Sequence, residues 1–426
     1  MTVLAQSYTY DDNGRIASWT CNNQACSYEY DAIGQLIRVN DQKDTRGHST
    51  GTTWTYEYDN GGNITYRRKY AYTEGTLSGE PLETMAYSYA ADWKDKLTGY
   101  TVTDSGDHTD TTVIGSDGIG NITGDGTWSY SWQAGRRLAG MTKTGTSISY
   151  LYDENGQRIR KSVTENGVMA DTFYTVAGKT VTHVRKGTDN LHIFYANGKP
   201  SHCSYNGTMY SYVYSLQGDV LGLKNSVGTL VVTYLYDAWG KEISRGGTLA
   251  STLGAINPFR YRGYVYDEET GLYYISSRYY SLRIFRWINA DDTSYLGASG
   301  GFLSYNLFAY SLNNPVNRTD DGGNWSVWAT AGLIVGAVLC IAAVTVLTCG
   351  VGTATLAGTV AVGAAKGPLI GAAVGTALGA GAGYTMTGTL EGAANGAAIG
   401  FGSVQLLVLQ SVEAVHIQAI PTHLLS

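Results

Sequence analysis

Side chains suited to metal or redox chemistry are sparse in this 426-residue sequence, and their spacing does not gather them. The five cysteines are an odd set: Cys21 and Cys26 are close enough for a small surface bridge, Cys203 stands alone, and Cys340 and Cys349 lie in an apolar segment. His48, His108, His183, His192 and His202 are scattered, and no CxxC pair or histidine cluster has the spacing of a metal site, so no metal and no cofactor is expected. His416 and His423 have no nucleophile beside them. Carboxylates are more numerous, but those before Asn257 recur at one place in a repeated phrase, where a hydrogen bond to the local backbone is the simpler use. An enzyme acting on an external substrate is therefore not expected.

That phrase names the element that would position any site. It reads Tyr28-Glu29-Tyr30-Asp31-Ala32-Ile33-Gly34, then Tyr56-Glu57-Tyr58-Asp59-Asn60-Gly61-Gly62, Tyr150-Leu151-Tyr152-Asp153-Glu154-Asn155-Gly156 and Tyr234-Leu235-Tyr236-Asp237-Ala238-Trp239-Gly240. Tyr-x-Tyr is a half-exposed strand, Asp followed by Gly is a tight turn needing a positive φ, and the residues after the glycine begin the return strand. Each copy is thus a β-hairpin. Degenerate copies at 10–16, 117–122, 130–136 and 214–220 keep the turn glycine, so clear neighbours recur roughly every twenty residues, within the range of repeat architectures.

An isolated hairpin is marginal in water, so these units must stack edge to edge into a long sheet. The fold class is mostly β, an array of stacked hairpins. Tyrosine suits such a wall if its ring covers the pleated surface while its hydroxyl stays wet, which accounts for 34 Tyr beside 7 Phe. A formal charge of −6 and a pI near 5.7 leave no electrostatic footprint for nucleic acid on the repeats. Met1 is followed by a repeat with no basic or long apolar leader, so no secretion signal is visible and the array is expected to begin in mid-course.

Around Asn257 the phrase changes to Asn257-Pro258-Phe259-Arg260-Tyr261-Arg262-Gly263-Tyr264-Val265-Tyr266-Asp267-Glu268-Glu269-Thr270-Gly271-Leu272-Tyr273-Tyr274, continuing to Arg278-Tyr279-Tyr280. Further on come Arg286-Trp287-Ile288-Asn289-Ala290-Asp291 and Tyr305-Asn306-Leu307-Phe308-Ala309-Tyr310-Ser311-Leu312-Asn313-Asn314-Pro315-Val316-Asn317-Arg318-Thr319-Asp320. This string resembles the RHS-repeat-associated core domain of bacterial RHS/YD-repeat proteins, a family that includes wall-associated polymorphic toxins and the cocoon component of tripartite insecticidal toxins. With the repeats, the resemblance covers about three quarters of the chain. It implies a spiralling β-shell that encloses a toxic carboxy-terminal region, with the core as a plug.

The resemblance also implies self-cleavage by two aspartates, which fall here on Asp291 and Asp320, with Arg286 as a supporting cation. Two carboxylates brought together would split their pKa values into an acid and a base. The sequence departs from the family pattern at Ser281-Leu282, at Phe285, and at Asp320-Asp321-Gly322-Gly323-Asn324, where a proline and a leucine are expected. Two readings stay open: a cut between Gly323 and Trp325, or turn and N-cap roles for both aspartates.

Trp325 to Ala365 carry no charged side chain, long enough to span a bilayer, and the run Gly367 to Leu390 holds a Gly371-Gly375-Gly379-Gly383 ladder of the kind that packs helices in lipid. Membrane insertion through 325–390, a glycine-rich segment packed inside the shell, and a sheltered apolar hairpin all fit this composition. The expected organisation is a repeat array over 1–256, a core domain over 257–324, a glycine-rich helical region over 325–404 and a truncated tail over 405–426. The expected function is that of the carboxy-terminal part of an RHS-type polymorphic toxin, secreted or at the cell surface, with its toxic tip lost or cut short. Its partners would be its own carboxy-terminal region and a cognate immunity protein. A surface-exposed adhesive module binding carbohydrate through tyrosines, with a membrane anchor, is the alternative.

Overall fold

The computed structural model describes residues 5–21, 24–42, 51–297, 300–320 and 322–323. The expected regions 325–404 and 405–426 lie outside the described residues, as do His48, Cys340, Cys349, His416 and His423. Among the described residues no helix is long and apolar enough to cross a membrane. The described residues outside the turn 12–15 form one compact unit.

The described strands form three antiparallel sheets in strict chain order: nine strands from Gln6–Tyr10 to Thr109–Val113, fourteen from Gly115–Ser116 to Glu242–Gly246, and four from Val265–Asp267 to Arg286–Trp287. The stacked-hairpin expectation is met, with one interruption. At the buried Ile114 the chain leaves the first sheet and starts the second, so the wall is two ladders rather than one.

The repeated phrase shows how each hairpin is built. Asp59 Oδ1 accepts from the backbone N–H groups of Gly61 (2.9 Å) and Asn63 (2.9 Å), and Gly62, at φ +77°, donates its N–H to Asp59 O at 3.0 Å. The strand pairing slips between Glu57, which faces Tyr66, and Tyr58, which faces Ile64, so Thr65 is the extra residue of a bulge. Asp31, Asp117, Asp153 and Asp237 make the same turn. Between these phrases the array uses plain two-residue turns, Asn166-Gly167, Asn197-Gly198 and Asn206-Gly207, with both residues at positive φ.

Tyr58, Tyr89, Tyr152 and Tyr236 do not keep their hydroxyls wet. Tyr58 donates to Leu36 O at 2.5 Å, Tyr89 to Ile64 O at 2.8 Å, Tyr152 to Leu138 O at 2.8 Å and Tyr236 to Val220 O at 2.9 Å, each reaching the preceding hairpin of its own sheet. Trp132 plays the same part, its indole N–H donating to Ile122 O at 2.7 Å. The reason is burial: these rings lie on or against the core face, where an O–H or N–H needs a protein acceptor.

The bridge expected at Cys21 and Cys26 is not formed either. Both are buried thiols outside any disulfide; in the hairpin Cys21 faces Gln24 and Cys26 faces Trp19, so they are not a cross-strand pair. They pack under Trp19 and against Leu235, and Gln6 and Tyr8 bond to Tyr214 O and Gln217 Oε1 at 3.1 and 3.2 Å. The first hairpins of one sheet thus meet late strands of the other.

The segment after Asn257 is read by the turns of the array. Asn314 donates to Gly34 O (2.7 Å), Asn313 to Gly62 O (2.7 Å) and Asn306 to Gly61 O (3.1 Å), while Asn317 accepts from Ile16 N–H (2.7 Å). On the second sheet, Tyr273 and Tyr280 donate to Gly240 O and Trp239 O at 2.8 and 3.0 Å. Asp267, fully buried, pairs with Arg158 at 2.5 Å and Lys161 at 3.1 Å.

Candidate active site in the core segment

The four-stranded sheet presents Arg278 at the start of the strand Arg278–Ser281, just after a tight turn in which Ser276 sits at φ +50°. Its guanidinium lies 4.0 Å from the Trp287 ring centre. One of its nitrogens, Nη2, contacts Asp291 Oδ2 at 2.8 Å and Asp320 Oδ2 at 3.2 Å, and all three side chains are nearly sealed from solvent. Nη1 donates to Leu307 O at 3.1 Å, and Nε donates to the carbonyl oxygen of Gly323. The two aspartates singled out by the resemblance are therefore brought together, 29 positions apart in the chain, around one cation and one main-chain carbonyl.

The cation is not the one expected. Arg286 points away from both aspartates, donating to Asp95 O at 2.6 Å and Asn63 Oδ1 at 3.4 Å, with its guanidinium over the rings of Tyr89 and Phe308. It is a tie between core and first sheet. Strand pairing decides this: Arg278 opens its strand opposite Ile275, next to the tight turn, whereas Arg286 pairs with Ser281 at the far end.

Burial raises Asp320 most strongly, Arg278 opposes it, Asp291 adds to it, and the result is a carboxyl pushed up to about 6. Burial also presses the Arg278 guanidinium below its ordinary range against the pull of both carboxylates, although it remains a cation. Asp291 Oδ1 accepts from Asp292 N–H at 2.8 Å, and its own N–H bonds to Leu307 O at 3.0 Å. Asp320 receives Gly322 N–H at 3.2 Å, and its N–H donates to the Tyr264 hydroxyl at 2.8 Å.

The peptide beyond Asp320 is held as firmly. Ser277 Oγ donates to Gly322 O at 3.0 Å, and Gly323 is at φ +69° with Ile275 O only 2.0 Å from where a Cβ would sit. No other residue fits there. A narrow cleft lined by Asp291, Asn306, Ser311 and Asp320 opens beside the pair, and its wall carries three successive residues at positive φ, Ser311, Leu312 and Asn313. Strained backbone of this kind concentrates at functional sites. In the sequence Arg278 is one arginine of the Arg-Tyr-Tyr phrase, and Gly323 is marked only as one of two adjacent glycines. A carboxyl that is partly protonated near neutrality, a second carboxyl on a shared cation and a carbonyl polarised by that cation are the parts of general acid–base chemistry on a peptide.

No group of three or more histidine, cysteine, aspartate or glutamate side chains with the closeness of a metal site occurs among the described residues. The histidines that come together are His183 and His192, stacked across two strands with ring centres 4.2 Å apart.

A wall of Tyr-Asp-Gly hairpins whose turns are gripped by a following core segment defines a YD-repeat shell protein. The sequence profile of the Teneurin YD-shell family matches residues 1–316, and the chain belongs to that family. It is 35% identical over 305 residues to the tRNA3(Ser)-specific nuclease WapA of Bacillus spizizenii, covering 70% of this chain and 12% of that one. It is also 24% identical over 327 residues to the double-stranded DNA deaminase toxin A of Burkholderia cenocepacia, covering 74% of this chain and 20% of the relative. The chain thus spans about an eighth of the length of the WapA relative it matches. Among solved structures, the TcdB2-TccC3 crystal structure aligns over 75% of this chain and 18% of that one, with a TM-score of 0.48 and 17% identity. The RHS/YD-repeat assignment is met.

Proposed function

We propose that this chain is the shell and core part of a bacterial RHS-type polymorphic toxin, which encloses and delivers the polypeptide carboxy-terminal to its core. The division is into an array over 1–256, a core over 257–324 and the regions 325–404 and 405–426 that the shell serves. The relatives' printed names, a tRNA nuclease and a DNA deaminase toxin, support a toxin system; action outside the producing cell, with the carboxy-terminal region and a cognate immunity protein as partners, belongs to the same proposal. The activity assigned to the chain itself is one self-directed cut.

The observation that carries this reading is the meeting of Arg278, Asp291, Asp320 and the Gly323 carbonyl. Asp291, paired with Arg278, takes a proton from water; the water oxygen bonds to the Gly323 carbonyl carbon, and Arg278 stabilises the developing oxyanion. Asp320, protonated, gives its proton to the nitrogen of residue 324 as the carbon–nitrogen bond breaks. The products are a carboxyl at Gly323 and an amine at Asn324. Enforced proximity makes the reaction effectively unimolecular.

Mass spectrometry of the purified full-length chain tests this. Two pieces divided between Gly323 and Trp325, with Asp320→Asn and Asp291→Asn giving one intact chain that still folds, are expected. An intact wild-type chain rules the cut out. Protection of the 325–426 piece from added protease while the shell is folded, and its loss on unfolding, checks the container reading.

A further inference from the structure

The site does not stand on the core alone. Its backbone from Ile288 to Asp291 is held by two hairpins at the start of the second sheet. Ile122 donates its N–H to Ile288 O at 2.9 Å. Arg136 donates from a single nitrogen, Nη1, to both Ala290 O (2.6 Å) and Asp291 O (2.5 Å), spanning more than 150 residues of sequence. Arg136 is itself oriented by the array. It sits in the turn after Ala134 (φ +47°) and Gly135 (φ +80°), and Gly135 O is fixed by Asn121 Nδ2 at 2.7 Å, while Asn121 is fixed by Asp117 at 2.7 Å. On the other side of the cleft, Asn306 hangs from Gly61 O and Asn63 Oδ1, and Asn313 from Gly62 O, all in a turn of the first sheet.

Each of the two sheets thus supplies part of the frame. The first sheet places the cleft wall at Asn306 to Asn313, and the second sheet places the main chain that aims Asp291 at Arg278. We propose that Arg136 is a positioning residue for Asp291, and that its docking makes the cut conditional on both ladders of the wall being in place. The chain would then cut itself only after the shell has formed around the polypeptide beyond the core. This rests on the self-cleavage reading above.

An arginine suits the task because each terminal guanidinium nitrogen carries two N–H donors held in one plane, so one nitrogen serves two successive peptides. Without it, the Asp291 backbone keeps the bond to Leu307 O but loses the hold from the array side. A displacement of about an ångström at a reacting group slows a reaction by up to roughly a hundred-fold.

The test measures cutting over time in the full-length chain made by cell-free synthesis, comparing wild type with Arg136→Ala and Arg136→Gln, with thermal melting on the same samples. Arg185→Ala, an exposed site in the same sheet, serves as the control. The expected result is cutting slowed on the order of ten- to a hundred-fold in both Arg136 variants with the fold retained, unchanged cutting in the control, and partial recovery of Arg136→Ala when guanidinium is added at non-denaturing concentration. A loss of packing alone would not be rescued by a small cation. If the wild type does not cut, the self-cleavage reading fails and this inference goes with it. If the wild type cuts and a folded Arg136→Ala or Arg136→Gln chain cuts at the same rate, only the positioning role is overturned.

Discussion

The pairing of Asp291 with Asp320 is more than a meeting of two acids, because a single guanidinium nitrogen touches both and the same side chain reaches the Gly323 carbonyl. The consequence is a pH dependence with a definite sign. Asp320 is raised to about 6 in the folded chain, so the folded state binds its proton more tightly than the unfolded state does. Between its ordinary value of about 4 and about 6, its contribution to stability falls as pH rises, and above that range it works against folding. The cut needs the protonated form of Asp320, so its rate should fall as pH rises through about 6, and time courses on either side of that value read this directly. A rate that climbs steadily through this range would mean that Asp320 is not the acid. Both aspartates were legible in the sequence through their motif. Arg278 was not distinguishable there from Arg286, since choosing between two arginines eight positions apart requires strand pairing that sequence spacing does not contain.

At the scale of the hairpin, the Asp-to-Gly turn is local chemistry, and a sequence states it openly: the carboxylate caps two N–H groups and the glycine takes the left-handed position. The Asn-Gly turns at 166–167, 197–198 and 206–207 carry an equally plain signal, yet lie outside the tyrosine phrase that marks the repeat. The tyrosine hydroxyl is different, because its acceptor belongs to the neighbouring hairpin and exists only once two hairpins stack. That makes Tyr58→Phe a test of stacking. It removes the bond to Leu36 O and should cost about 1 to 2 kcal/mol, measured by urea denaturation. Tyr10→Phe, on an exposed position, should cost little. Equal losses would mean that the hydroxyls do not join the hairpins. Gly62→Ala should be worse than either, since φ is +77° and the new methyl would sit 2.6 Å from Leu303 Cδ2 of the core.

Across the whole described unit the question is whether wall and core are one folding unit or two. Sequence alone suggests two, a repeat array and a domain after it, because the phrase changes at Asn257. The contacts argue the other way: asparagines of the core hold turn carbonyls in the first sheet, and Asp267 is fully buried between Arg158 and Lys161 of the second. Burial alone would raise the Asp267 carboxyl, but Arg158 and then Lys161 outweigh it and hold it below the ordinary carboxylate range. Its contribution is therefore present above about pH 4 and is lost as pH falls through the depressed value, opposite in sign to that of Asp320. Asp267→Asn leaves the buried Arg158 guanidinium without its anion, while Lys161 keeps Glu269 Oε2 at 2.6 Å; removing one partner of a buried pair costs about 3 to 5 kcal/mol. The Arg158 guanidinium is also ringed by Tyr150, Tyr174, Tyr274 and Tyr279, so it has no short path to water. If the wall needs the core to hold its turns, this variant should melt at lower temperature in one transition, with amide protection lost together in the strands of 146–165 and 265–281. Two transitions, with the wall keeping its protection after the core has released, would show that the hairpins stand without it.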